Sequence, residues 1–206
     1  MALYKSELYI EAGIDEVARG CLAGPVYAAA VIWPKELDDS IEHPVLRDSK
    51  KLSKKKREEL KEYIEATAID FSVAFETNNT IDSLNILKAT HSAMHKAING
   101  LNVKPDFLLV DGNRFEPYFD EDGDVIEHEC FVKGDDKFQS ISAASILAKV
   151  YHDEYIENLV EKEPELKVYG WEKNMCYGTK THLDAIKQHG ISKYHRKTFG
   201  ICREYS

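Results

Sequence analysis

The run from Tyr9 to Trp33, YIEAGIDEVARGCLAGPVYAAAVIW, constrains the fold more than any other stretch. Leu8, Ile10, Ala12 and Ile14 alternate with Tyr9, Glu11, Gly13 and Asp15. That period of two predicts a strand with one apolar face and one face bearing acids. The strand runs into adjacent carboxylates, Asp15 and Glu16; Arg19 and Gly20 follow, and a second strand-like run begins at Gly24. Paired acids at the end of a buried strand are unfavourable unless positive charge sits on them. A divalent metal ion would supply that charge, and so would Arg19.

With 206 residues, 43% of them apolar, the chain can bury one sizeable core. A net charge of -9 argues against a simple polyanion binder, but the charge is unevenly distributed. Residues 47–57 hold seven basic side chains and one acid, and residues 178–203 hold six Lys or Arg and one Asp. Acids gather in 120–129 and 154–165. Charge alone would make the basic runs solvated helix faces. Cys21, Cys130, Cys176 and Cys202 form neither a CxxC pair nor a zinc spacing, so reduced thiols in a cytoplasmic protein are expected. The N-terminus carries no apolar signal core, and no run approaches the roughly 18 apolar residues of a membrane span.

Helical periodicity spans Ser53 to Thr67, with Ser53 as N-cap and three lysines in the first turn, where the helix dipole disfavours them. A strand is expected over 68–76. One helix is expected from Ile81 to Asn99, on a stripe of Leu84, Leu87, His91, Met94 and Ile98, with Gly100 ending it. His91 and His95 have metal-ligand spacing, but no nearby acid completes a set, and packing is the favoured reading. Phe107 to Asp111, FLLVD, is an apolar strand stopping on an acid, and Glu127 to Val132 is a further strand. A helix follows from Ser140 to Val160; its first turns, SISAASILAK, are small enough for close approach to a sheet. A last helix runs from Thr181 to His189. The pattern predicts a layered α/β or α+β domain with a helical tail.

Acids therefore end three segments: Asp15 with Glu16, Asp111, and Asp135 with Asp136. The apolar strands leading into Asp15 and Asp111 set those two apart, and Asp136 is read as a turn residue. Crowded carboxylates need counter-charge, which magnesium or manganese supplies through oxygen ligands. Two such ions can stabilise both the attacking and the leaving oxygen at a phosphate. No Ser-His-Asp set and no GxxxxGK phosphate loop is present.

Six ordered blocks, GIDEVARGCLAGPV, DSKKLS, IDSLNILKAT, LLVDG, KGDDKFQSISAASILAKV and YGTKTHLDAI, resemble the ribonuclease HII family over roughly residues 10–199. The resemblance implies an RNase H-like α/β fold, a mixed central sheet flanked by helices, with a helical C-terminal region. Residues 1–160 would form the catalytic domain and 161–206 an extension completing the substrate site as one functional unit. The length is expected to leave no room for the extra N-terminal domain of ribonuclease HIII. The family also implies metal-dependent endonucleolytic cleavage of RNA in RNA–DNA hybrids, and of DNA strands at embedded ribonucleotides. Cleavage would fall 5′ of the ribonucleotide and leave 3′-hydroxyl and 5′-phosphate ends, serving ribonucleotide removal and RNA primer degradation.

By motif match, Asp15, Glu16, Asp111 and Asp135 would be catalytic and hold two Mg2+ or Mn2+ ions. Ala18, Arg19 and Gly20 stand where the family has Gly-Arg-Gly, and with Tyr177 they would sense the ribose 2′-hydroxyl. Lys50 would neutralise a backbone phosphate. Three positions depart from the family pattern: Ala18, Cys176 in place of glycine, and His152 in place of arginine. Ala18 is expected to be tolerated provided it avoids positive φ. The expected partner is a hybrid or ribonucleotide-containing duplex. No membrane partner is expected, no sliding-clamp peptide is evident at the C-terminus, and a monomer is expected. The competing readings are a DNA nuclease of the same fold and a nucleic-acid-binding module that is indifferent to magnesium.

Overall fold

The computed structural model of the chain describes residues 1–46, 49 and 52–206. Lys50 lies outside the described residues. The centre is a six-stranded sheet in the order β3-β2-β1-β4-β6-β5. Its strands are β1 (Glu11–Val17), β2 (Val26–Ile32), β3 (Asp70–Glu76), β4 (Phe107–Asp111), β5 (Tyr118–Phe119) and β6 (Val125–Phe131). β1, β2 and β3 pair antiparallel, β4 lies parallel to β1, β6 parallel to β4, and β5 closes the edge antiparallel. The sheet is thus mixed, with helices on both faces.

The helices are α1 (Lys54–Thr67), α2 (Asn78–Leu84), α3 (Ile86–Asn99), α4 (Gln139–Lys162), α5 (Trp171–Asn174) and α6 (Lys180–His189). Packed against one sheet face, α3 buries Ala93, Met94, Ala97 and Ile98 with Ile14, Ala28 and Val110. Helices α1 and α4 cover the other face, with Ala143, Leu147 and Ile64 against Ala29 and Val31. β1 is therefore buried on both faces, so the acid-bearing face is covered as well as the apolar one. A strand in mid-sheet between two helical layers meets apolar groups on either side. Gly13 allows α4 to come this close: a Cβ there would stand 2.3 Å from the Ser140 carbonyl carbon.

The helix expected over 81–99 is in fact two. Asn85 adopts φ +75, ends α2 and caps α3 by accepting from the Leu87 and Lys88 N–H groups. Its short amide tolerates the left-handed region and competes with helical bonding, so local capping overrides the periodicity. Gly100 ends α3 as expected, but at φ -82, so glycine is needed there for space: a Cβ would stand 2.2 Å from Ser72 Oγ. β5 has only two residues, too few to leave a periodic signal. After α4 come α5, α6 and 3-10 turns at Pro164–Tyr169 and Gly200–Glu204, but residues 190–199 are not helical, and Tyr177 and His195 bridge to Cys21 and Ala23. None of the described helices is long and apolar enough to cross a membrane.

Candidate active site

Parallel pairing brings the first two acids together. Ile14 is in register with Val110, so Asp15 and Asp111 follow as neighbours at the same end of the sheet. β6 pairs with β4 up to the Asp111–Phe131 pair, and the chain then turns through the 3-10 segment Gly134–Asp136. The Gly134 N–H donates to Asp111 Oδ1 at 2.7 Å, which places Asp135 next to a group bound to Asp111. Three adjacent strands thus deliver Asp15, Glu16, Asp111 and Asp135 to one end of the sheet.

Asp15 is 6% exposed. Burial, and then the charges of Glu16 and Asp111, push its carboxyl well above the usual carboxylate range. Hydrogen bonds from Ser145 on α4 and from the Glu16 N–H, the latter at 2.7 Å, act the other way. Ser145 also meets Ser49 Oγ at 3.1 Å, linking the DSKKLS loop to the buried acid. Arg19 Nη1 lies 3.3 Å from Glu16 Oε1, so Arg19 offsets one of the acids. Among the described residues, no group of three or more His, Cys, Asp or Glu is arranged to hold a metal ion. Even so, repelled oxygens around one buried carboxyl are the donor chemistry that a hard divalent cation relieves.

Two clefts flank the β1–β2 loop. One, of about 610 Å³, is lined by Glu16, Arg19, Thr90, His91, Asp111 and Arg114. The other, of about 630 Å³, is lined by Lys54, Arg57, Lys149, Asp153, Lys173 and Tyr177. The expected basic edge at the start of α1 is partly spent on acids. Lys54 contacts Glu157 and Glu58, and Lys56 contacts Glu59. In the second cleft Asp153 accepts from Lys149 at 2.7 Å and lies 3.5 Å from Arg57. Burial opposes ionisation of Asp153, but its bonds with His152 and Lys149 hold its carboxyl below the ordinary range. His152 is buried, its Nδ1 3.0 Å from Asp153 Oδ1; burial lowers the pKa of the ring, and Asp153 acts against that shift.

Tyr177 adjoins the loop. Cys21 and Tyr177 form an isolated antiparallel bridge, and a Cβ added at Gly20 would lie 4.0 Å from Tyr177 Cε1. Burial, more than any neighbouring group, raises the phenol's pKa. Burial also pushes the Cys21 thiol up to about 12, so it stays protonated. Ala18 has φ +71, so the condition set for tolerating alanine there, avoidance of positive φ, is not met. Cys176 has φ +66, so the other departure from glycine is also left-handed. Both backbones are conformations that glycine adopts without strain.

Arg196 explains how Ala18 is held, and sequence reasoning missed it. Its side chain is wholly buried. Nη2 donates to the Ala18 carbonyl at 2.8 Å and to Pro25 at 3.0 Å; Nη1 donates to Arg19 at 2.9 Å, and Nε to Gly24 at 3.0 Å. Its only sequence signal was membership of the C-terminal basic run. Nearby, Ser192 donates through its N–H to His195 Nδ1 at 2.9 Å, so that nitrogen is bare. His195 Nε2–H then donates to His182 Nε2, which also accepts from Trp171 Nε1, each at 3.0 Å. His182 Nδ1–H is left to donate to the Tyr177 carbonyl at 3.0 Å. The pair His91 and His95 does not converge on a metal: His91 packs edge-on to Phe115, and His95 bonds to the Glu116 carbonyl.

A mixed sheet between helices, with carboxylates at the ends of its central strands, is an RNase H-like α/β architecture. The solved ribonuclease H2 of Pyrococcus horikoshii superposes with a TM-score of 0.75 at 26% identity, covering 95% of this chain and 96% of that one. The sequence profile described as Ribonuclease HII matches residues 12–202. The chain is 52% identical to a ribonuclease HII of Christiangramia forsetii, over 92% of this chain and 90% of that protein. It is 51% identical to that of Parabacteroides distasonis, over 95% and 92%. The chain belongs to the ribonuclease HII family, whose activity is endonucleolytic cleavage of RNA in RNA–DNA hybrids.

Proposed function

We propose that this enzyme is a divalent-metal-dependent endonuclease that cuts the RNA strand of hybrids and also a DNA strand at an embedded ribonucleotide. It cuts 5′ of the ribonucleotide and leaves 3′-hydroxyl and 5′-phosphate ends. The observation that carries this reading is the burial of the Asp15 carboxyl at the sheet end where Glu16 and Asp111 stand beside it. Asp15, Glu16, Asp111 and Asp135 are the residues that would hold magnesium or manganese. When bound, the metal supplies the positive charge that activates water and stabilises the departing oxygen. Ser145 and the Glu16 N–H orient Asp15, and the Gly134 N–H orients Asp111.

Backbone groups of Ala18, Arg19 and Gly20 read the 2′-hydroxyl, with Tyr177 packed against the sugar. Lys50 neutralises a phosphate. Residues 1–160 supply the acids and 161–206 supply Tyr177, so the two parts work as one unit. The setting is cytoplasmic ribonucleotide removal and primer degradation.

The test is cleavage of an end-labelled duplex bearing one ribonucleotide, with Mg2+, with Mn2+ and with chelator. Cutting on the 5′ side, only with metal, and lost in Asp15→Asn and Asp111→Asn, is expected. Full activity of either variant, or cutting in chelator, overturns the reading.

A further inference from the structure

We propose that Arg196 is a positioning residue for ribonucleotide discrimination: its buried guanidinium fixes the carbonyls of the β1–β2 loop and so sets the face that the loop turns to the sugar. The inference rests on the sensing role given above to residues 18–20 and Tyr177.

A buried guanidinium needs its N–H groups satisfied, and carbonyls can do this as well as a carboxylate can. Here the planar fork is spread over four carbonyl oxygens within one loop, those of Ala18, Arg19, Gly24 and Pro25. Turning the Ala18 and Arg19 carbonyls inward fixes the peptide planes on either side of Arg19. It also holds Ala18 at φ +71, against the preference of an alanine backbone. Cys21 in the same loop bridges to Tyr177, and the Leu22 N–H donates to the Cys176 carbonyl at 2.9 Å, so the clamped loop adjoins both parts of the proposed sensor. Phe199 stacks beside the guanidinium at 5.1 Å, and the Arg196 N–H donates to the Leu22 carbonyl at 2.8 Å, fixing the residue from the far side. Lysine could not substitute, because a single ammonium cannot reach all four oxygens in that plane.

The experiment measures affinity, without catalytic metal, for two duplexes that differ by one 2′-hydroxyl. The proteins are wild type, Arg196→Lys, and Arg196→Lys combined with Ala18→Gly, each confirmed folded by its thermal melt. Wild type is expected to prefer the ribonucleotide duplex. Arg196→Lys should lose about tenfold of that preference. Ala18→Gly should restore part of it, because glycine reaches φ +71 without the steric penalty alanine carries; a purely structural role for Arg196 predicts no such rescue. If Arg196→Lys does not fold, Arg196→Ala refilled with methylguanidinium is compared with wild type, and restored preference supports the clamp. A folded Arg196→Lys, or a refilled Arg196→Ala that stays refractory to the cation, overturns the proposal if its preference is respectively unchanged or unrecovered. A wild type with no preference overturns the sensing role itself, and this proposal with it.

Discussion

Asp15 and Asp111 stand side by side on parallel strands, one residue beyond the Ile14–Val110 pair, and each raises the energy of charge on the other. A site of this kind is unstable without counter-charge. Asp15→Asn is therefore expected to raise the melting temperature of metal-free protein by a few degrees while abolishing cleavage. Added Mg2+ should raise the melting temperature of wild type and leave that of Asp15→Asn nearly unchanged. Melts with and without chelator check both.

Acid should loosen the C-terminal segment. Burial, then His182, depresses His195 to about 3, from an ordinary value of 6.5. Both rings already have their bare nitrogens occupied by donors, so neither has room for another proton. Because the folded value is lowered, this contribution to stability is present above pH 6.5 and is lost as pH falls toward 3. The expected slope is about 1.4 kcal/mol per pH unit below roughly pH 6. Asp15 acts with the opposite sign, since its raised carboxyl favours folding as pH falls. Urea unfolding at several pH values, comparing His195→Gln with the unaltered histidine in the Asp15→Asn background, isolates its share, and His195→Gln should flatten the slope.

Asn85 caps α3 from a left-handed backbone. Asn85→Ala loses the cap and keeps the strain, which should cost roughly 2 kcal/mol. Asn85→Gly keeps the conformation and should cost only a few tenths. Denaturant midpoints separate the two.

Tyr177 lines the cleft and pairs with Cys21 across an isolated bridge. Tyr177→Ala should lower kcat/KM on a single-ribonucleotide duplex about tenfold or more. Tyr177→Phe, which keeps the ring, should lose less. Steady-state cleavage measures both.

The sequence showed most where one residue type has one use. FLLVD ended at Asp111 as a buried strand must, and Ser53 capped α1 by accepting from the Lys56 N–H. The small face of SISAASILAK did bring α4 against β1. Other features depended on partners distant in the chain. The break at Asn85 hid under an unbroken helical stripe, because a cap is a local bond and periodicity is an average. Arg196 looked like one more surface cation, since nothing in a basic run says which member will be buried. Its role follows only from the carbonyls that face it. The left-handed turn at Ala18 was equally invisible, because alanine carries no signal for that conformation. The family's glycines at positions 18 and 176 were the better guide to the backbone than the residues present.

The Arg196 bonds also bear on the order in which the molecule is completed. Roughly 170 residues separate the guanidinium from the turn it holds, so that turn is among the last pieces to settle. A chain still emerging from the ribosome can pair its strands and assemble its acids while the turn remains unset. On this view, the nuclease gains its power to tell sugars apart only when its final stretch has been made.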